Sequence, residues 1–241
     1  MKAKPLITWI DQNLYPSHAD NWDNQLLRNE ILTYIRPDDQ LLDVGAGAGI
    51  VLQMNFRGLV AKIHGIDLDE RVLQNPMLDE AVVASADQIP YPDHSFDLVF
   101  STNVLEHLAN PAQVFKEVAR VLKPGGVFLF KTPNKWHYMP SIARLTPHSF
   151  HQYINRIRGR EVVDTFPTLY RANTPKDIQR LAAESGLLIE KVQLIEGRPE
   201  YLRMHFTVYI IGALYERLVN AIPFLAPFRI LILGVLRKPV A

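Results

Sequence analysis

A glycine-rich turn directly after a short apolar segment constrains the fold of this chain more than any other feature. Residues 41–50 read LLDVGAGAGI, with Gly45, Gly47 and Gly49 at alternate positions. Glycine lets a backbone turn tightly and approach a ligand closely, which a Cβ atom would prevent. Asp43 stands two residues before the first glycine. The pattern predicts a buried strand that ends at a ligand site, because open α/β sheets bind ligands at the carboxyl ends of their strands.

The spacing of the glycines separates this turn from two kinds of phosphate-binding loop. A P-loop ends in Gly-Lys-Ser or Gly-Lys-Thr, whereas Gly49 is followed by Ile50 and Val51. The dinucleotide fingerprint is G-x-G-x-x-G, and here the spacing is G-x-G-x-G with an acid before it. Because a carboxylate repels phosphate, Asp43 favours a ligand that carries an ammonium group.

A second apolar segment ends in another acid. Residues 63–69 read IHGIDLD and are predicted to form a second strand, in which Asp67 lies 18 residues after Gly49. A carboxylate at about this offset binds the ribose hydroxyls in nucleoside-binding α/β folds. We therefore expect Asp67 to accept hydrogen bonds from two hydroxyl groups of a nucleoside.

The acid and the three glycines resemble the first motif, D/E-x-G-x-G-x-G, of the class I S-adenosylmethionine-dependent methyltransferases. Residues 85–93 (SADQIPYPD) are similar to the segment of that family that holds adenine. Residues 95–108, which read SFDLVFSTNVLEHL, resemble the S-F-D-x-V and x-L-E-H-L motifs of its type 11 group. Together these motifs cover residues 40–133 in the family's order.

The resemblance implies an α/β, Rossmann-like, doubly wound sheet of seven strands, mostly parallel with an antiparallel last strand, and an inserted helical lid. It also implies S-adenosyl-L-methionine as cofactor and methyl transfer to a small-molecule or lipid-like acceptor (EC 2.1.1.-) by in-line displacement. Ser85 stands where the family usually has an aspartate, so Asp87 or the Ala86 backbone is expected to share the adenine contact. The implied cofactor contacts are Asp43, Gly45, Ala46, Gly47, Gly49, Asp67, Leu68, Ser85, Ala86, Asp87, Ser101 and Asn103.

Two histidines are candidate general bases for an acceptor that must lose a proton. These are His107 and His137, although a packing or capping role is the alternative for His107. Glu106-His107 is also similar to the E-x-x-E-H cluster of metal-assisted ubiquinone-pathway O-methyltransferases. Asn103 occupies the first position of that cluster and is a weaker ligand for a hard cation, so we expect no metal.

The predicted domains are an N-terminal helical cap over residues 1–36 and a methyltransferase domain over residues 37–241. Within the latter, residues 134–173 are rich in aromatic and basic side chains and are interpreted as a substrate lid. A solvated basic face is the alternative interpretation. The candidate substrate contacts are Tyr138, Arg144 and Tyr170.

Apolar periodicity and capping residues predict the remaining elements. Helices are expected at residues 22–35, 50–56, 111–122, 175–185 and 203–223, with a last strand at 228–235. Ordinary core packing is expected for the apolar residues 204–228, with a membrane-bound or dimer face as the alternative.

Composition narrows the partners and the compartment. The 26 Lys and Arg residues nearly balance the 25 Asp and Glu residues, so we expect no nucleic-acid partner. The chain has no cysteine, which excludes disulfides and thiol chemistry. No signal-like or bilayer-spanning apolar run is evident, so a cytoplasmic protein is expected, with peripheral membrane contact as an option. The oligomeric state cannot be read from the sequence.

Two other classes of function share parts of this pattern. An NAD(P)-binding Rossmann oxidoreductase would keep the fold and Asp67, but Asp43 and the short glycine spacing disfavour it. A non-catalytic nucleoside-binding protein of the same fold would keep the whole pattern.

Overall fold

The computed structural model describes residues 5–18, 21–145 and 167–240, and it describes the backbone alone for residues 143–145. The helices are α1 (Pro5–Leu14), α2 (Trp22–Leu32), α3 (Pro111–Val121), α4 (Tyr138–Leu145), α5 (Pro175–Ser185) and α6 (Phe206–Ala221). The strands are β1 (Gln40–Val44), β2 (Lys62–Asp67), β3 (Glu80–Val83), β4 (Phe96–Thr102), β5 (Leu122–Pro133), β6 (Leu188–Ile195) and β7 (Leu231–Arg237).

The seven strands form one sheet in the order β3-β2-β1-β4-β5-β7-β6. Strands β3, β2, β1, β4 and β5 pair in parallel along this order. The amide of Gly125 donates to Lys238, and the amide of Lys238 donates to Gly126, so β7 runs antiparallel to β5. The predicted doubly wound sheet, with its last strand between β5 and β6, is confirmed.

The prediction of an α-helix directly after the glycine turn is wrong. Residues 50–56 form only a short 3-10 helix, Leu52–Met54. Asn55 then leaves the helical conformation, with φ −80° and ψ 108°. The chain then continues without an α-helix to β2, which begins at Lys62.

Two predicted helices have the expected ends because their capping residues act locally. Asn110 accepts a hydrogen bond from the amide of Gln113 and starts α3, whose first residue is Pro111. Thr174 caps α5 in the same way, and Gly186 ends α5 with a left-handed φ of 73°.

Other element boundaries differ from the prediction by a few residues. Helix α6 ends at Ala221, after which Pro223–Phe228 forms a 3-10 helix. The final strand therefore starts at Leu231 rather than at residue 228. Helix α2 ends at Leu32, so the predicted extension to residue 35 is also wrong.

The chain divides into two compact units. The sheet unit comprises Asp23–Pro133, Val163–Gln193 and Ile232–Ala241. The helical unit comprises Met1–Trp22, Asn134–Val162 and Leu194–Leu231. The predicted N-terminal cap over residues 1–36 and the predicted lid over residues 134–173 remain predictions. Much of the predicted lid, residues 146–166, lies outside the described residues.

An ion pair inside the sheet unit ties the start of α2 to the central strands. The side chain of Lys131 on β5 is fully buried, and its Nζ lies 2.5 Å from Oδ2 of Asp23. A buried ammonium group without a partner would be strongly destabilising, so this pairing fixes the position of Asp23 against β5. The two residues are 108 positions apart, and neither motif nor periodicity predicts their contact.

Within the described ranges, no helix combines the length and the apolar character that crossing a bilayer requires.

The packing of β7 on β5 generates a first prediction. A Cβ atom on Gly234 would lie 2.1 Å from the ring of Phe130, which is fully buried. Gly234→Ala should therefore lower the free energy of unfolding in urea by about 1–3 kcal/mol through overpacking. Phe130→Leu should itself be destabilising, but it should reduce the added cost of Gly234→Ala when the two are combined. Equal costs in both backgrounds would contradict this packing.

Candidate functional site

The glycine turn is held by the end of β2. The amides of Gly45 and Ala46 both donate to the carbonyl of Ile66, at 2.8 and 3.1 Å. The amide of Gly47 donates to Oδ2 of Asp67, also at 2.8 Å. All three glycines of the turn have left-handed φ angles, between 52° and 82°, which favour glycine strongly. The sequence therefore specifies both the shape of this turn and its attachment to β2.

The glycines differ in what surrounds them. A Cβ atom on Gly45 would lie 2.2 Å from Cγ2 of Val104, so this glycine allows close packing. A Cβ atom on Gly47 would meet nothing nearer than Oδ2 of Asp67, at 3.9 Å. The open space at Gly47 is where a ligand can approach the backbone of the turn.

Asp67 is oriented by two backbone amides. Its Oδ2 accepts from Gly47, and its Oδ1 accepts from Asp69 at 2.9 Å. Each carboxylate oxygen can accept more than one hydrogen bond, so both retain capacity for a ligand hydroxyl. This arrangement suits the predicted role of Asp67 in binding a ribose.

Asp43, at the end of β1, is a buried carboxylate in the same site. Its residue is only 5% exposed, and no described residue makes a hydrogen bond to its side chain. Burial and the nearby charge of Asp67 raise the pKa of Asp43 well above its usual range. A cationic ligand group would compensate both effects, because it would neutralise the carboxylate and supply its missing donor.

Asn75 is a site residue that the sequence interpretation missed. Its Nδ2 donates to the carbonyls of Ala46 and Gly47, at 3.0 and 3.1 Å, and its Oδ1 accepts from the amide of Met77. A Cβ atom on Gly49 would lie 2.2 Å from Oδ1 of Asn75, so the turn and this side chain fit closely. Asn75 therefore supports the glycine turn by contacts with Ala46, Gly47 and Gly49.

The end of β4 contributes two of the predicted contacts. Asn103 has a left-handed φ of 55°, and its amide donates to the carbonyl of Lys131. The hydroxyl of Ser101 is buried and has no hydrogen-bond partner among the described residues. Ser101 pairs with Val44 at the end of β1, so it lies at the same edge of the sheet as the glycine turn.

The predicted cofactor contact Leu68 and the predicted adenine contacts Ser85, Ala86 and Asp87 lie beyond β2 and β3. Leu68 is 70% exposed, and Asp87 is exposed as well. Ser85 and Ala86 are half-buried, and the carbonyl of Ser85 accepts from the amide of Gln88 in a tight turn. These positions remain predicted contacts of the cofactor.

Glu106 and His107 form a 3-10 turn after β4. The carboxylate of Glu106 is buried and accepts from the hydroxyl of Thr132 at 3.0 Å. Burial raises the pKa of Glu106, while His107, Thr132 and Lys131 oppose the rise. Nδ1 of His107 lies 2.9 Å from the carbonyl of Pro167. A carbonyl only accepts, so Nδ1 carries the proton and Nε2 is the basic nitrogen of the neutral ring.

His137, the other candidate base, is buried in the helical unit. Its Nδ1 accepts from the amide of Met139 at 3.2 Å, and its Nε2 lies 3.4 Å from Oε2 of Glu196. Burial lowers the pKa of His137 to about 3. Burial also raises the pKa of Glu196 to about 8, which Glu216 reinforces. A ring that is protonated only in strong acid and enclosed in this way is better suited to packing than to proton transfer.

The three predicted substrate residues fall in different surroundings. Tyr138 is half-buried beside His137 and Tyr215, and burial raises its pKa. Tyr170 belongs to the sheet unit, has a left-handed φ of 51°, and donates its amide to the carbonyl of Glu106. The side chain of Arg144 lies outside the described residues. All three remain predicted contacts.

Among the residues that the structure describes, no group of three or more His, Asp or Glu side chains could hold a metal ion.

A family model for the type 11 methyltransferase domain matches residues 42–130. This segment runs from β1 to β5 and contains the glycine turn, Asp67, Asn75 and the end of β4. Residues 42–130 of the chain are therefore similar to this methyltransferase domain.

Relatives and solved structures are consistent with this methyltransferase assignment. The chain is 29% identical over 170 residues to a ubiquinone biosynthesis O-methyltransferase of Thiobacillus denitrificans, which covers 64% of this chain and 66% of that protein. The chain spans between 44% and 66% of the length of the first curated relatives that it matches.

Two solved structures illustrate the shared fold. Geranyl diphosphate C-methyltransferase from Streptomyces coelicolor A3(2) has a TM-score of 0.58 at 15% identity, covering 91% of this chain and 79% of that one. The cyclase SpnF has a TM-score of 0.58 at 18% identity, covering 90% and 82%. At these identities the likeness concerns the fold of the methyltransferase domain.

Asn75 generates the prediction for this site. Asn75→Asp keeps the side-chain shape but replaces two donated hydrogen bonds by repulsion from the carbonyls of Ala46 and Gly47. The dissociation constant for S-adenosylhomocysteine should rise about 10–100-fold in calorimetry, because the turn loses its support. Asn110→Asp is the matched control, since its cap uses only an oxygen acceptor. Unchanged affinity in a folded Asn75→Asp variant would contradict the role of Asn75.

Proposed function

We propose that this chain transfers a methyl group from S-adenosylmethionine to a small-molecule acceptor. The observation that carries the proposal is the pairing of a buried Asp43, to which no described residue donates a hydrogen bond, with an open glycine turn held by Asp67. This pairing suits a nucleoside that carries a cationic amino acid group. The type 11 methyltransferase domain over residues 42–130 supports the same ligand.

Different residues of the site bind different parts of the ligand. Asp43 neutralises the ligand's ammonium group, and Asp67 accepts from its ribose hydroxyls. The backbone of the glycine turn approaches the ligand at Gly47, where no side chain intervenes. The end of β4, with Ser101 and Asn103, borders the same edge of the sheet. When bound, S-adenosylmethionine supplies an electrophilic methyl carbon on its sulfonium sulfur.

Proton removal from an oxygen or amine acceptor is assigned to His107. The hydrogen bond from its Nδ1 to the carbonyl of Pro167 makes Nε2 the basic nitrogen of the neutral ring, Nε2 lies 4.0 Å from Oε1 of Glu106, and the side chain is partly accessible. His137 is less suited because it is buried and its pKa is lowered to about 3. A carboxylate or carbon acceptor would not require this base.

The names of two relatives indicate a class of acceptor. The Thiobacillus relative is named for ubiquinone biosynthesis, and a Marinomonas relative that is 32% identical is named a malonyl-acyl-carrier-protein O-methyltransferase. We therefore propose a small or lipid-like acceptor that presents a hydroxyl or carboxyl oxygen. A non-methylating function on the same fold is the second candidate, because the similar structure SpnF is named a cyclase.

Transfer of a labelled methyl group tests the proposal. The chain is incubated with methyl-labelled S-adenosylmethionine and a panel of phenols, carboxylic acids, amines and prenyl compounds. Label should pass to at least one class, and His107→Gln should slow transfer only to acceptors that must lose a proton. Asp67→Ala should weaken cofactor binding by about 1–3 kcal/mol, because buried hydroxyls lose their acceptor.

Asp69→Ala is the matched control, since the half-buried Asp69 carboxylate binds Arg71. Cofactor binding without transfer to any acceptor would favour a non-catalytic or cyclase-like protein. Binding of a nicotinamide dinucleotide in place of S-adenosylmethionine would overturn the proposal.

A further inference from the structure

Helix α6 of the helical unit has two apolar faces, and only one of them is packed. On the inner face, Tyr209 and Ala213 join Ile7 and Ile10 of α1 in a buried cluster. On the outer face, an apolar row is exposed to solvent at helical spacing. Its members are Ile211 (60% exposed), Leu214 (64%), Leu218 (50%) and Ile222, just after the helix.

The segment after α6 continues this apolar character. In the 3-10 helix Pro223–Phe228, Phe224 is 85% exposed, and Phe228 is exposed as well. Trp9 on α1 and Trp136 are the exposed tryptophans of the described helical unit. Exposed apolar residues in a row require a partner, whereas single ones do not. Tryptophan and phenylalanine are the residues that amphipathic helices place at a lipid interface.

The charges of the two units differ in sign. By sequence, and counting residues outside the described ranges, the helical unit carries 11 Lys and Arg against 6 Asp and Glu, a formal net charge of +5. The sheet unit carries 15 Lys and Arg against 19 Asp and Glu, a formal net charge of −4. The chain as a whole has a formal net charge near zero, although its helical unit is basic. The exposed apolar row lies on this basic unit. On α6 itself, the half-exposed Arg217 is the neighbour of Leu218.

We propose that the helical unit docks on an anionic lipid surface through the outer face of α6, defined as Ile211, Leu214, Leu218, Ile222 and Phe224. A basic unit with an apolar helical row matches both components of such a surface, its negative headgroups and its acyl chains. A second copy of this chain fits less well, because two units of charge +5 repel each other. A nucleic acid would match the charge but would leave the apolar row exposed.

Flotation with lipid vesicles tests this docking surface. The full chain is mixed with phosphatidylcholine vesicles that either contain or lack phosphatidylglycerol. The bound fraction should be about tenfold higher on the anionic vesicles and should fall, without vanishing, as salt is raised. A purely electrostatic interaction would vanish at high salt, and this would contradict the role of α6.

Substitutions on α6 separate the apolar contribution from charge. Leu214→Asn with Leu218→Asn leaves the net charge unchanged and should lower vesicle binding about tenfold through lost apolar burial. Leu73→Asn with Leu188→Asn, at exposed leucines of the sheet unit, is the matched control and should bind like the unmodified chain. Phe224→Ser should weaken binding independently. Melting temperatures and S-adenosylhomocysteine affinity show that each variant is folded.

Three results would overturn the proposal. The chain could fail to float with anionic vesicles, or the α6 double variant could float as well as the unmodified chain. Alternatively, light scattering could show a dimer that the α6 variant dissociates, with no vesicle binding, which would assign the surface to a second copy. None of these measurements requires methyl transfer, so their outcome is independent of the proposed function.

Discussion

The candidate site depends on one electrostatic constraint, a carboxylate that is buried at the end of a central strand and receives no hydrogen bond from any residue that the structure describes. Asp43 has parallel neighbours on both sides, at Gly65 on β2 and Phe100 on β4. The fold therefore shields it from solvent, and Asp67 adds a like charge nearby. Such a group destabilises the free chain at neutral pH, because folding favours its protonated form. A bound cation would stabilise the ionised Asp43 and remove this penalty. The site therefore favours a positively charged ligand.

The remainder of the sheet unit holds the backbone around Asp43 in place. Asp67 and Asn75 fasten the glycine turn from the β2 side, where the expected α-helix is absent. Lys131 joins β5 to Asp23, and its carbonyl accepts from the amide of Asn103 at the end of β4. These contacts connect the ligand edge to the core by hydrogen bonds with defined geometry. Because donors and acceptors are already placed, ligand binding needs little reordering of the turn.

Local sequence signals predicted the fold and the position of two carboxylates at the edge of the sheet. The order of the family's motifs along the chain predicted the strand order of the sheet. Thr174 and Gly186 determine the two ends of α5, because a capping residue acts within a single helical turn. Asp43 and Asp67 could be selected because their motif position defines their place at the sheet edge. Asn75 could not be selected from the sequence, because it acts by donating hydrogen bonds to the carbonyls of residues that lie 28 and 29 positions earlier in the chain. The absent helix after β1 was missed for the same reason, because tertiary contacts override its local pattern.

The most direct test of the central claim is the number of protons exchanged when S-adenosylhomocysteine binds. Calorimetry in buffers of different ionisation enthalpy measures this number as a function of pH. A raised pKa in the free chain means that binding an ammonium group must deprotonate Asp43. We expect proton release that grows as the pH is lowered toward that pKa and disappears in Asp43→Asn. Binding without proton release, or with the same release in Asp43→Asn, would contradict the account.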